Sequence, residues 1–211
     1  MKKILGLTIV LAMLLVSFYF FLGEKKNLPL VSNPSPSQPE KPTATPALTG
    51  PSQHDGWRGI DNARVSTHHD GPNGEKNAQK ISEDSAMGLH RVERIEGGLS
   101  AGMSYTLSAY IKPAERKAVR IEIRDNPQKK YGIARFDLET GKVIDFSGDI
   151  SDAGIEATRD GWYRIWVSMP FSENQAVFNF QLMDTNLAHQ YQGDGSSALY
   201  LADVRLQAKV K

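Results

Sequence analysis

Trp166 stands in a run where polar and apolar residues alternate, and Arg164 shares its polar phase. Three other runs with the same alternation place Tyr110, then Arg120, Glu122 and Arg124, then Asn179 and Gln181 in the polar phase. A flat aromatic ring covers the apolar C–H face of a sugar, while amides, carboxylates and guanidinium groups bond to its hydroxyls. Together these side chains offer the chemistry of a saccharide-binding face. That face requires the runs 103–112, 118–125, 161–169 and 175–183 to lie in one sheet. Trp166 is its expected centre, because a tryptophan on a solvent face is unusual unless it contacts something. The plain alternative is an ordinary solvated face.

Catalytic and metal-binding patterns are thinner. The chain has no cysteine, which excludes disulfides, thiolate zinc sites, a cysteine nucleophile and a lipidated-cysteine anchor. The histidines are His54, His68, His69, His90 and His189, and none stands in a zinc-ligand or Ser-His-Asp signature. His68 and His69 are adjacent, so on a strand they point to opposite faces and chelate poorly. His90 reads as a surface or edge histidine on a strand from Gly88 to Ile95. Some β-sandwich polysaccharide lyases use Tyr, His and Arg, but no spacing here assigns those roles. No Walker, Rossmann or EF-hand pattern is present. The expectation is a chain that is not an enzyme and carries no cofactor.

These residues need strands to position them. Tyr105, Leu107, Ala109 and Ile111 alternate with Thr106, Ser108, Tyr110 and Lys112. Val119, Ile121 and Ile123 form a second such set, Tyr163, Ile165, Val167 and Met169 a third, and Phe178, Phe180 and Leu182 a fourth. A period of two is the mark of strands with one buried face. Leu199 and Leu201 give way to Val204 and Leu206, a phase slip that predicts a bulge near Ala202-Asp203. Turn sequences such as Asp70-Gly71-Pro72-Asn73-Gly74, Thr140-Gly141-Lys142, Asp160-Gly161 and Gly193-Asp194-Gly195 separate the runs. About ten short strands at such spacing predict an all-β, antiparallel sandwich over residues 54–211.

The first 53 residues are of another kind. Lys2 and Lys3 precede an apolar run from Ile4 to Leu22, which as a helix would span roughly 28 Å, close to the hydrocarbon thickness of a bilayer. The run ends in Phe18-Tyr19-Phe20-Phe21-Leu22 rather than in the small residues a signal peptidase needs. Residues 1–23 are therefore expected to be a short inside tail with an uncleaved single-pass anchor. Cleavage would make the chain secreted instead. Residues 24–53 hold seven of the 11 prolines, among Ser, Thr, Asn and Gln, and read as an extended, disordered spacer. The rest carries 20 Lys+Arg against 22 Asp+Glu, so its charge is nearly balanced and a nucleic-acid partner is not expected.

Particular motifs sharpen the fold. Gly102-Met103-Ser104-Tyr105-Thr106-Leu107-Ser108-Ala109-Tyr110-Ile111-Lys112 resembles a strand of carbohydrate-binding-module-like jelly rolls, and Leu199-Tyr200-Leu201-Ala202-Asp203-Val204-Arg205-Leu206 is similar to their closing strand. Asp70-Gly71-Pro72-Asn73-Gly74, with the stretch Asn77–Ile81, fits an early strand. Arg135–Gly141, Asp160-Gly161-Trp162-Tyr163-Arg164 and Tyr191–Gly195 resemble a subgroup found in phage tail and surface proteins. The resemblance covers nearly all of 57–207 and implies a jelly-roll sandwich. It also implies structural roles for Trp162 and Tyr163, while Trp57 is expected to close one end.

What the resemblance implies for function is a non-catalytic carbohydrate-binding module. The anchor would tether it to the cytoplasmic (inner) membrane and present it on the extracytoplasmic, periplasmic side to a cell-envelope or exported polysaccharide. Trp166 and Tyr110 would stack on the sugar, and Arg164, Asn179, Gln181, Glu122 and Arg120 would bond to it. Similar modules often hold a structural calcium near the last strand. Asp203 matches the acidic position there, and Asp55 or Asp61 could approach it, although Ala202 replaces the second acid that relatives often show. A second reading is a structural or protein-interaction module of an envelope or surface assembly, with protein partners. A third is a polysaccharide lyase or hydrolase.

Overall fold

The computed structural model of the chain describes residues 56–57 and 59–209, so the expected anchor and spacer, His54 and Asp55 lie outside the described residues. Fourteen strands form two six-stranded antiparallel sheets and a short ribbon. The front sheet runs β1 (Gly59–Asp61), β5 (Arg91–Gly97), β12 (Gln175–Leu182), β7 (Ala118–Asp125), β8 (Tyr131–Asp137) and β9 (Lys142–Gly148). The back sheet runs β10 (Asp152–Ala157), β11 (Tyr163–Pro170), β6 (Ser104–Pro113), β14 (Ala198–Ala208), β3 (Ala78–Glu83) and β2 (Ala63–His69). The ribbon pairs β13 (Gln190–Gln192) with β4 (Met87–Leu89). Among the described residues the only helix is one 3-10 turn, Arg159–Gly161, and none is long and apolar enough to cross a membrane.

Alternation builds the core as expected. Val119, Ile121, Ile123, Phe136, Phe178 and Phe180 of the front sheet meet Leu107, Ile111, Ile165, Val167, Leu199 and Leu201 of the back sheet in one buried cluster. Two sheets packed through one face each leave the intervening residues pointing outward on opposite sides. Trp57 packs against this core, edge-on to Phe180 at 6.1 Å, with its indole N–H donated to Gln79 at 2.5 Å. The phase slip in β14 is a register shift between Ala202 and Arg205, where Asp203 takes a left-handed φ of 49°.

Two expectations need correction. The four runs do not share a sheet: β7 and β12 belong to the front sheet, β6 and β11 to the back sheet. From β5 to β12 the chain crosses the sandwich between β5 and β6, β6 and β7, β9 and β10, and β11 and β12. Alternation alone reports only inward and outward, and both sheets alternate alike. The strand expected from Gly88 to Ile95 is also broken. It divides at His90, which is fully buried, because β4 leaves the sheet to pair with β13.

His90 belongs to a closed polar cluster at one end of the sandwich. Glu83 is fully buried there and accepts bonds from both arms of the Arg116 guanidinium, from the Tyr191 hydroxyl at 2.7 Å and from the Asp194 amide at 2.8 Å. A buried carboxylate costs several kcal/mol unless its oxygens are filled in this way. The cluster fastens β3, the β6–β7 turn and β13 together.

Candidate functional site

The residues expected to form one patch instead form two groups on opposite sides of the sandwich. Arg120, Glu122, Asn179 and Gln181 point outward from the front sheet. Tyr110, Arg164 and Trp166 point outward from the back sheet. Each group has its own character.

On the front face, Asp61, Arg91, Gln181, Arg120, Arg135 and Asp145 stand in register across all six strands. The row answers itself. Arg91 donates to Asp61 at 2.6 Å, Arg120 to Gln181 at 2.5 Å and to Glu122 at 2.8 Å, and Arg135 holds Asp145 with both arms of its guanidinium. The Gln181 amide nitrogen donates to Asn179 at 2.7 Å. Although these side chains point away from the core, Gln181 is 0%, Asn179 1% and Arg120 7% exposed. His189 borders this group; burial first, then the charge of Arg120, holds its imidazole below the usual range. Burial pushes the Tyr131 phenol, 3.4 Å from Arg120, upward. The bonding capacity of the row is spent mostly on its own members.

The back face is aromatic. Trp166 lies opposite Gly154 of the edge strand β10, and a Cβ on Gly154 would come within 2.0 Å of the indole. Glycine therefore lets the ring lie on bare backbone. The indole N–H donates to Asp152 at 3.2 Å, and the Arg164 guanidinium carbon is 5.5 Å from the ring centroid. Arg164 in turn stands opposite Tyr110. The next ring is Trp162, which is buried in a second small cluster with Ala78 and Ala202, and Tyr110 and Tyr200 pack against it. Trp162 is set there by its turn. Asp160 and Gly161 take left-handed φ values of 55° and 76°, and the Thr158 amide and hydroxyl both donate to the Trp162 carbonyl, at 2.8 and 2.9 Å. Two alanines beneath Trp162 leave room for it, and Tyr110 and Tyr200 keep partly open edges.

A shelf of half-buried rings bordered by Asp152 and Arg164 can stack on a saccharide and bond to its hydroxyls. Sequence reasoning found Tyr110, Arg164 and Trp166 here. It missed Gly154 and Asp152, whose roles depend on a cross-strand partner, and Tyr200, whose polar phase beside Leu199 and Leu201 was legible.

The acid-rich turn near Asp203 tests the expected calcium. The Asn77 amide nitrogen lies 3.2 Å from Glu75 and 3.4 Å from Asp203, and its oxygen is buried with no hydrogen-bond partner. Calcium takes six to eight oxygen ligands. As arranged, N–H donors rather than an oxygen face the two carboxylates, and Asp61 is engaged with Arg91 instead. Among the described residues no group of three or more His, Asp or Glu gathers to hold a metal.

Tyr, His and Arg do meet in the cluster of Tyr191, His90 and Arg116. There, burial and the Glu83 hydrogen bond push the Tyr191 phenol far above its usual range. Both His90 ring nitrogens face backbone carbonyls, Asn62 at 2.7 Å and Tyr191 at 3.2 Å. His90 and Tyr191 are buried, and Arg116 is partly so.

No protein-family model matches the chain, and no curated protein does. Among solved structures it is similar to the enzymatically active domain of tailspike protein 4 of bacteriophage CBA120, at 14% identity and a TM-score of 0.43. That match covers 73% of this chain and 19% of the tailspike chain. It is also similar to the CBM22-1 xylan-binding domain of Paenibacillus barcinonensis Xyn10C, at 8% identity and a TM-score of 0.45, covering 75% of this chain and 89% of that one. A third likeness is to the mannan-recognising module TmCBM27, at 14% identity and a TM-score of 0.42, covering 78% and 95%.

Proposed function

We propose that the domain is a non-catalytic glycan-binding module of the jelly-roll type, and that the aromatic back face is where it holds the sugar. The observation that carries this is Trp166: a half-buried indole laid against Gly154, with its N–H on Asp152 and the Arg164 guanidinium over the ring. A ring held in place before any ligand arrives loses little freedom on stacking, which favours binding. The sequence of residues 1–53 supports a tethered presentation outside the cytoplasmic membrane, toward an envelope or exported polysaccharide.

The test is a glycan array probed with the full chain, solubilised in detergent, beside Trp166→Ala and Gly154→Val. The unmodified chain should bind one class of glycan saturably. Trp166→Ala should reduce that binding at least about tenfold, as expected for loss of roughly 1.4 kcal/mol. Gly154→Val should weaken it too, by lifting the ring from the sheet. A folded chain that binds no glycan, or binds equally well without Trp166, would overturn the reading.

A further inference from the structure

The back face carries a second feature beyond Trp166. In β14, Tyr200 stands opposite Lys112 of β6 on one side and Lys80 of β3 on the other. Side chains directly opposite each other in a sheet begin about 5 Å apart, so both lysine stems start beside the ring. His69 completes the recess. Ser66 pairs with Lys80 and His69 with Ala78, so β2 spends one extra residue there. Such a bulge re-aims a side chain, and here it keeps both Ser66 and His69 on the outward face. The His69 ring meets Tyr200 edge-on at 5.4 Å and is fixed by the Ser66 hydroxyl at 2.8 Å. His69, Asp70, Lys112 and Tyr200 line an open pocket.

Charge decides what fits. Asp70, the acid of this pocket, is engaged by Lys76 at 2.6 Å. Neither Lys112 nor Lys80 forms an ion pair among the described residues. On the front face Arg91, Arg120 and Arg135 are each held by a carboxylate. On the back face an acidic ligand finds two lysines without an ion pair beside the Tyr200 ring, whereas the comparable front-face cation is the single Arg124 opposite Tyr131. A lysine is a mobile point charge suited to a single carboxylate, while the half-buried Tyr200 ring offers the apolar surface that a sugar ring covers.

Resting on the glycan reading, we propose that the Lys112–Tyr200–Lys80 recess selects a carboxylate-bearing sugar residue, so that the preferred ligand is an acidic polysaccharide. Trp166 and Tyr200 then stack on two residues of one chain, and the lysines read the uronate.

The experiment compares a polyuronate with the same polymer after chemical reduction of its carboxyl groups, each titrated calorimetrically into the full chain. The polyuronate should bind at least about tenfold more tightly. The double variant Lys112→Gln, Lys80→Gln should reduce that preference below about threefold while leaving affinity for the reduced polymer unchanged. Its melting temperature should match that of the unmodified chain, since both lysines are partly exposed and unpaired. Equal binding of the two polymers would overturn the acidic preference and leave the glycan reading standing. Binding of neither would overturn both. Phosphatidylglycerol vesicles are the third arm. Retention on them that the lysine substitutions abolish, with no preference between the polymers, would assign the recess to a lipid surface and overturn the proposal.

Discussion

The two outward faces of the sandwich are built from similar numbers of strands and opposite chemistry. The front face is a row of arginines, carboxylates and amides whose bonds run to one another, with its central members inaccessible. The back face is a shelf of rings, backed by alanine and glycine, with the Arg164 guanidinium over one of them. A polar group that has already found its partners adds to stability and has little left for a ligand. A ring that is half covered has its orientation fixed and part of its surface still exposed. The difference teaches that outward direction and polarity do not by themselves mark a binding face; uncommitted capacity does.

The comparison can be broken by substitution. Trp162 is the exception on the back face, buried where its neighbours are open. Trp162→Ala should cost roughly 3–5 kcal/mol in urea unfolding, the cost of emptying a tryptophan site. A loss below about 1 kcal/mol would show that the shelf has no structural backing. Next comes the front row. Arg120→Ala leaves Glu122 and Gln181 without their shared donor and should destabilise by about 2–3 kcal/mol while glycan affinity holds. If affinity fell with little loss of stability, the front row would be the contact surface.

Acid should act through carboxylates that the fold holds below their usual range, among them Asp194 and Asp125. Asp194 is held below the usual carboxylate range first by the Ser197 hydroxyl, then by the Ser197 and Ser196 amides. Burial pushes Asp125 upward, but the amides of Lys130, Lys129 and Ser172 outweigh it and leave it lowered. A carboxyl depressed in the folded state contributes stability above its ordinary value of 3.8 and loses it as pH falls through the folded value. Stability should therefore fall slightly as pH drops below 6.5, the ordinary value of the depressed His189, and more steeply below about pH 5 as the carboxyls protonate, and Asp194→Asn should flatten that second fall. An unchanged acid limb in Asp194→Asn would contradict this. The smallest effect is expected at Arg135, whose pair with Asp145 is open to solvent. Arg135→Ala should change stability by no more than about 0.5 kcal/mol, and a larger loss would mean that the row acts as a unit.

Much of this architecture was legible in the residues. Period-two alternation placed Leu107, Ile121, Ile165 and Phe178 inward, and the phase slip after Leu201 located the bulge at Asp203. Sheet membership was not legible, because it depends on where the chain crosses the sandwich. That is why Trp166 and Gln181 were expected side by side and lie on opposite faces. The burial of His90 was hidden for a similar reason: its partners are backbone carbonyls of Asn62 and Tyr191, distant in sequence. His69 reaches Tyr200 only through a bulge in β2 that alternation does not announce.

The most direct test of the central claim is a paired titration of Trp166→Ala and Arg120→Ala against the glycan that the unmodified chain binds, with melting curves for both. The account predicts a split: Trp166→Ala loses at least about tenfold in affinity with its stability nearly intact, and Arg120→Ala loses stability with its affinity nearly intact. The reverse split would contradict it and move the binding surface to the front face.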